Sequence, residues 1–406
     1  MNYSVAMNKA KQAISYYRTH GLLSLAKKVI ESLESKRSAI FTKSDILGFY
    51  DFTLYKPLGP IYQEGSAKAN TVTWVVPAYG KGSGGHLNIF RFVYLLEKLG
   101  YECRIVIVGS HPEYNTKEAK KQISEWFFPL EAQVYDGIAS IPASYYILAT
   151  SWQTAYYVRN FQNAKHKCYF VQDFEPYFYA VGSDFALAEA TYSFGFNSIT
   201  AGGWLAEKLR TEYGGKTYPI GFSYDRALYK VKKRTRITGK KVFFYARPPT
   251  PRRAFELGLI TLNEIVKRIP NVEVIFAGWD VSSFTIPFAH VNAGTMNVSD
   301  LPDLYSQCDA ALVLSFTNLS LLPLELMACG VPVVSNRAPC TEWLLNDRNS
   351  ILTAAVPELL ADAVCELLQS PEMHAAIRSE GLKTANLSSW ELEADKLKNA
   401  LIEIDH

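Results

Sequence analysis

The sequence predicts an α/β protein made of two Rossmann-like parallel-sheet domains facing a cleft, preceded by an N-terminal helical extension. Three observations lead there. The chain has 406 residues, 48% of them apolar, which is more than one hydrophobic core holds and enough for two domains of ordinary size. Short β-branched or aromatic runs alternate with helical patterns, the arrangement of a parallel sheet covered on both faces. The alternation halts after Ser198–Gly202, SITAG, and restarts at Lys241 with KVFFYAR.

The extension comes first, over residues 1–50. From Met7 to about Lys36 the residues Ile14, Tyr17, Leu22, Leu25, Val29, Ile30 and Leu33 recur near helical spacing with basic residues between them. Residues 1–43 hold eight Lys or Arg against Glu31 and Glu34, a net +6, so the remainder of a chain whose total is +3 stands at −3. A basic amphipathic helix of this kind either packs on its own domain or lies as a peripheral contact on anionic lipid. The nearly balanced totals of 42 basic and 39 acidic residues argue against nucleic acid as a partner held by bulk charge.

A first domain over 51–218 contains the strands TVTWVVP from Thr71, CRIVIVG from Cys103, YYILAT from Tyr145, KCYFVQ from Lys167 and SITAG. A second over 219–385 contains KVFFYAR, VEVIFAG from Val272, AALVLSF from Ala310, PVVSN from Pro332 and SILTA from Ser350. Between them, YPIGFSYDRALYKVKKRTRITGK is rich in turn residues and basic charge, as an interdomain segment is. The six cysteines are scattered, without a CxxC pair or a histidine at metal-ligand spacing; they read as reduced core residues of a cytoplasmic protein. No apolar run reaches the roughly 18 residues of a spanning helix, and the N-terminus lacks a signal-peptide layout.

Ligands of open parallel sheets bind beyond the carboxyl ends of the strands, and four such places carry candidate chemistry. After TVTWVVP, Gly80, Gly82 and Gly85 match GxGxxG, a pattern of nicotinamide sites. The acidic residue that would hold the ribose is missing after the next strand, where Val108, Gly109 and Ser110 stand. Without a dinucleotide, Gly82, Gly84 and Gly85 still let backbone N–H groups approach a substrate. After KCYFVQ come Gln172, Asp173 and Glu175; two carboxylates one residue apart suit acceptor-hydroxyl positioning, a divalent metal or a helix cap. After KVFFYA, Arg247, Arg252 and Arg253 stand among prolines, a stiff cationic loop suited to a diphosphate.

The fourth place follows AALVLSF. Thr317, Asn318, Leu319 and Ser320 form a turn and LLPLELMAC a helix, with Pro323 tolerated in the first turn and Gly330 as its stop. Amides near Ser320 and Leu321 then face the cleft as an anion site. Glu325, the only charge in SFTNLSLLPLELMACGVPVVSN, lies where a carboxylate accepts hydrogen bonds from ribose-type hydroxyls, or pairs with a buried backbone group.

These segments resemble the retaining GT-B glycosyltransferases of family four. YPIGFSYD from Tyr218 is similar to the family's interdomain segment and YARPPTPRR to its diphosphate loop, with Arg247 and Arg252 in the two cationic positions. GTMNVSDLPDLYSQCDAALVLS resembles the unit before its donor site, and LSSWELEADKLKNAL the terminal helix, so that 386–406 are expected to rejoin the first domain. The family's donor motif has two glutamates eight positions apart. Here Glu325 fills the second position and Thr317 the first, with Ser320 where a glycine is usual. The resemblance implies that Glu325 binds the nucleotide sugar, and that the contact to the transferred hexose and the donor itself differ from the common pattern. VQDFEP and YARPPTPRRAFELG most resemble bacterial rhamnosyltransferases of rhamnose-rich surface glycans such as S-layer chains. By that resemblance dTDP-L-rhamnose is the donor and a lipid-linked rhamnosyl glycan the acceptor; Arg247, Arg252 and Asp173 are catalytic, and no metal and no cofactor is expected. The remaining readings are a UDP- or GDP-sugar donor, an NAD-dependent oxidoreductase using the Gly80 loop, and a non-catalytic glycan-binding protein.

Overall fold

The computed structural model describes residues 45–109, 115–234 and 239–406. The expected helices of 1–43 lie outside these. The described residues 45–55 belong to one unit of the chain and Lys56–His406 to another. The former hold a short helix, Ile46–Tyr50, capped by the Asp45 carboxylate on the Gly48 N–H at 2.9 Å, and a 3₁₀ turn, Asp51–Thr53.

In the larger unit two parallel sheets follow one another. The first holds β1 (Thr71–Pro77), β2 (Glu102–Val108), β3 (Gln133–Asp136), β4 (Ser144–Ala149), β5 (Ala164–Val171), β6 (Asn197–Ala201) and β7 (Thr217–Ile220), in the order β3-β2-β1-β4-β5-β6-β7. The second holds β8 (Lys240–Tyr245), β9 (Val272–Ala277), β10 (His290–Gly294), β11 (Ala310–Val313), β12 (Val333–Asn336) and β13 (Ile351–Thr353), in the order β10-β9-β8-β11-β12-β13. Every strand anticipated from an apolar run is present. Three further strands are β3, β7 and β10, all at sheet edges. Edge strands bury little, and these are mostly exposed or half-exposed, so no apolar run marks them. One of them, β7, takes Tyr218–Ile220 from what reads as linker, and the crossing begins at Gly221.

Central strands are buried on both faces: β1 and β4 are buried almost throughout, because helices cover each side. The first core joins Trp74, Phe90, Phe92 and Phe170 and also takes Trp390, Leu397 and Leu401 from the C-terminal helix Trp390–Asp405. That helix is fixed by the Tyr146 hydroxyl, which donates to Leu401 O at 2.8 Å, and by Tyr145, which donates to Asp405 at 2.6 Å. The second sheet has a core on each face, one around Phe244, Phe276 and Leu360, the other around Phe243, Leu324 and Met327. All six cysteines are buried and unpaired. No helix among the described residues is long and apolar enough to cross a membrane.

Candidate active site

The carboxyl ends of β5 in one sheet and of β8 and β11 in the other meet, bringing together three of the four candidate segments. Asp173 is the centre of the contact. Its Oδ1 accepts from the Asn318 N–H at 2.8 Å and its Oδ2 from the Thr317 hydroxyl at 3.0 Å. The Asn318 side chain donates back to Gln172 O at 2.9 Å and to Ala201 O at 2.7 Å. Asp173, Thr317 and Asn318 are all buried. The pair that the sequence assigns to catalysis and substrate binding is, in this conformation, a hydrogen-bonded clasp between the two domains. Burial pushes the Asp173 pKa up, against the pull of Arg253 and the Asn318 amide.

Arg252 reaches this clasp from the loop after β8. Its Nε lies 3.7 Å from Asp173 Oδ2, and its guanidinium carbon sits 3.8 Å from the Phe178 ring centroid, a cation–π stack. The Nε is buried and makes no hydrogen bond. Arg253 has a different job: its Nη1 donates to Ser315 Oγ at 2.7 Å and Asn318 O at 3.3 Å. The Ser315 hydroxyl in turn bonds the carbonyls of Thr317 and Asn318 at 3.0 and 3.1 Å, and Asn336 pairs with the Ser315 backbone on both sides. Arg253 is therefore the strut of the turn over 315–318. Arg247 is the least committed of the three, with one long bond of 3.4 Å to Gly278 O and the Trp279 ring 5.9 Å away. The 3₁₀ turn Pro251–Arg253 ends at Ala254, whose φ of 48° is the only positive φ of a non-glycine residue among those described. An alanine in the left-handed region costs roughly 1–2 kcal/mol; here it is what turns the chain from the arginine loop into the helix Phe255–Arg268.

The glycine loop after β1 is bare. Gly82 has φ +80°, and a Cβ at Gly80, Gly82 or Gly84 would meet nothing within 4 Å. At Gly85 it would stand 3.7 Å from the Gln172 amide. Gln172 donates to Gly85 O at 3.1 Å and accepts from Asn88 at 3.2 Å, so it ties this loop to the end of β5. Glu175 is committed within the first domain: Oε2 accepts from the Trp152 N–H at 3.0 Å, capping the helix Trp152–Asn160, and Oε1 from Tyr169 at 2.9 Å. Its pKa is pushed up to about 7 by burial. With the oxygens of Asp173 and Glu175 taken by protein donors, neither faces outward for a metal. No group of three His, Cys, Asp or Glu among the described residues is arranged to hold one.

Glu325 lies in the first turn of the helix Leu322–Ala328, which ends at Gly330 with φ +75°. At seven residues this helix is short for a dipole argument. Ser320 Oγ accepts from the Leu322 N–H at 3.4 Å. Burial raises the Glu325 pKa to about 7, opposed by the Tyr229 hydroxyl and by the charge of Arg91 on the helix Gly84–Lys98. Leu321 and Trp343 pack against the core of the first domain. Residue type and spacing do not single out Phe178, Arg91, Asn88 or Tyr229, nor Gly202, whose backbone lies against the Trp343 indole. The one signal available was Arg91, a cation inside the apolar run LNIFRFVYLL.

Two Rossmann-like sheets in tandem, joined by one crossing and a returning C-terminal helix, define the GT-B fold. Solved structures of that shape superpose along nearly their whole length. Sucrose-phosphate synthase of Thermosynechococcus elongatus has a TM-score of 0.65 at 13% identity, covering 82% of this chain and 99% of that one. HepE of Anabaena, solved with UDP and glucose, has a TM-score of 0.62 at 15% identity, covering 82% and 99%. The pneumococcal O-GlcNAc transferase GtfA, solved with UDP and GlcNAc, has a TM-score of 0.59 at 10% identity, covering 83% and 99%. Within that fold, residues 84–201 match the family described as WsaF, N-terminal domain, and residues 240–365 the family described as WsaF, C-terminal domain. The O-antigen biosynthesis protein RfbC of Myxococcus xanthus is 31% identical over 345 residues, which is 82% of this chain and 27% of that protein. The chain thus spans about a quarter of the length of this curated relative.

Proposed function

We propose that this protein is a glycosyltransferase of surface-glycan biosynthesis that moves L-rhamnose from dTDP-L-rhamnose onto a lipid-linked, rhamnose-containing acceptor, with retention and without a metal. What supports the reading is the cationic loop after β8, where the charges of Arg247 and Arg252 act on one another and Arg252 lies beside Asp173, the residue that bonds the Thr317–Asn318 turn leading to Ser320 and Glu325. The WsaF match, the O-antigen protein and neighbours solved with UDP and a sugar support a nucleotide-sugar donor and a glycan acceptor. Rhamnose itself rests on the resemblance of VQDFEP and YARPPTPRRAFELG.

As the sugar becomes oxocarbenium-like, the departing diphosphate gains charge. Arg247 and Arg252 then stabilise the transition state more than the ground state. Arg252 reaches the diphosphate by leaving Asp173. Asp173 gives up the Thr317 hydroxyl as well, the Oδ2 so freed orients the acceptor hydroxyl, and a diphosphate oxygen takes the hydroxyl's proton. Glu325 holds the pentose, and the bare backbone at Gly82, Gly84 and Gly85, with Gln172 behind it, lines the side where the acceptor enters. Transfer from dTDP-L-rhamnose, UDP-glucose, UDP-GlcNAc and GDP-mannose to a rhamnosyl acceptor, read by mass spectrometry, tests the proposal. Product from dTDP-L-rhamnose alone is expected. Product from a UDP- or GDP-sugar instead reassigns the donor, and stabilisation by NAD with no transfer rejects the class. Residues 1–43 serve in this reading as a peripheral contact with anionic membrane. Sedimentation with anionic vesicles, with and without those residues, tests it, and equal partitioning rejects it.

A further inference from the structure

A cavity of about 520 Å³ opens in the second domain, away from the cleft. Asp309, on its wall, immediately precedes β11, whereas the turn over 315–318 follows that strand, so the length of Ala310–Val313 separates the cavity from the clasp at Asp173. Three further segments enclose it. They are the crossing chain at 231–234, the bend at Cys329 and Gly330 that ends the helix Leu322–Ala328, and one face of the helix Pro371–Leu387, formed by His374, Arg378 and Leu382 at four-residue spacing. Lys232, Arg234 and Arg378 line the cavity against a single carboxylate, that of Asp309. Asp309 is already answered. Its Oδ1 accepts from Arg234 Nη1 at 2.9 Å, with Lys240 Nζ 3.9 Å away, and its Oδ2 accepts from the Lys241 N–H at 2.8 Å. Arg234 Nη2 donates to Cys308 O at 2.6 Å, so this arginine is spent on the protein. Lys232 pairs at 2.9 Å with Asp303, a carboxylate 69% exposed, and a surface pair of that kind holds its cation weakly. Arg378 has no carboxylate within ion-pair distance among the described residues. Its Nε donates to Gly330 O at 3.1 Å, which fixes the guanidinium and leaves both Nη groups for another partner. Gly330 permits this approach: its φ is +75°, and a Cβ there would stand 3.0 Å from Nε and Nη2 of Arg378. His374 adds no charge, since burial lowers its pKa and its Nε2 donates to Asp309 O at 2.9 Å, leaving Nδ1 as an acceptor. A guanidinium held in place with its fork unengaged, on the wall that also carries a loosely paired ammonium, suits the oxygens of a phosphate. The volume is that of a small-molecule site, with Val231 and Leu382 as apolar wall for an organic body.

We propose that this cavity is a second binding site, separate from the cleft, for a small phosphate-bearing ligand, with Arg378 as its chief phosphate contact and Lys232 as the supporting cation. The inference does not depend on the glycosyltransferase reading above.

Inorganic phosphate is the probe, titrated calorimetrically into the full chain in chloride buffer, with and without excess dTDP to fill the cleft. Arg378→Met keeps the stem of the side chain and removes the fork. Ala375→Leu, at an exposed position of the same helix and on the cavity wall, fills the space without disturbing a buried group. Arg247→Ala is the control for the cationic loop of the cleft. The parent is expected to bind phosphate whether or not dTDP is present, and Arg247→Ala to bind it as the parent does. Arg378→Met and Ala375→Leu are expected to weaken binding by roughly 10-fold or more, the loss of a charge-assisted hydrogen bond in the first case and of room in the second. Should Arg378→Met melt lower than the parent without phosphate, Ala375→Leu decides. A parent that binds no phosphate, binding that dTDP or Arg247→Ala abolishes, or binding that persists at parent strength in both cavity variants overturns the proposal.

Discussion

At the scale of single residues, Glu325 is the clearest case of a group held away from its solution behaviour. Burial lifts its pKa from 4.5 to about 7, so the folded protein binds a proton there more tightly than the unfolded chain does. The stability linked to this group is complete below pH 4.5 and is lost as pH rises through 7. Glu325→Gln should therefore be more stable than the parent at pH 8, by on the order of 2 kcal/mol, and indistinguishable from it at pH 4. In the proposed role the ionised carboxylate accepts from ribose-type hydroxyls, so parent affinity for dTDP should rise with pH through about 7 and that of Glu325→Gln should stay flat. Thermal melts and dTDP titrations between pH 5 and 9 check both; a parent affinity independent of pH counts against the pentose contact. Asp173 is likewise pushed up by burial, yet protein donors hold both its oxygens. Its carboxylate satisfies the Asn318 amide and the Thr317 hydroxyl. Asp173→Ala leaves both buried donors unpaired, and a loss of about 2–5 kcal/mol in denaturant unfolding is expected.

At the scale of elements, the sequence was informative where apolar patterning set the structure and uninformative where contact across the cleft did. The central strands, the helix Leu322–Ala328 with Pro323 and Gly330 at its ends, and the cationic loop after β8 could all be read from residue type and spacing. The edge strands β3, β7 and β10 could not, since a half-exposed strand has no apolar signature. Nor could the division of labour among Arg247, Arg252 and Arg253. Their sequence context is nearly the same, and only the fold turns Arg253 inward onto Ser315 and Asn318 while Arg247 keeps a single long bond. This division predicts different failures. Arg253→Met should cost about 1.5–3 kcal/mol of stability, seen as a lower melting temperature, because the carbonyl of Asn318 and the Ser315 hydroxyl lose their charged partner. Arg247→Ala should leave the melt unchanged and reduce turnover by roughly 10²-fold or more. A large fall in melting temperature for Arg247→Ala together with unchanged turnover would reverse the assignment.

At the scale of the whole molecule, the cleft closes at two places, and the second is purely steric. Gly202 stands at the end of β6 with φ +90°, and a Cβ there would fall 2.6 Å from the indole of Trp343 on the other domain. Neither side can yield easily, for Gly202 is held through its N–H to Ile220 O at 2.6 Å and Trp343 packs into the first-domain core. Gly202→Ala therefore props the domains apart at this end without touching a substrate-binding group. Because Arg247, Arg252 and Glu325 all belong to one domain, the variant should bind dTDP within roughly two-fold of the parent. Turnover should drop by roughly ten-fold or more, since the acceptor side no longer comes into register, and misplacement by about 1 Å can cost 10²-fold. Left-handed strain at residue 202 would by itself also impair the protein, so the discriminating measurement is the double variant Gly202→Ala with Trp343→Ala. Removal of the ring makes room for the methyl and should restore part of the turnover while leaving the backbone strain in place. If the double variant is no more active than Gly202→Ala, strain and not closure is the cause. If Gly202→Ala turns over normally, the contact between Gly202 and Trp343 is not part of the catalytic conformation.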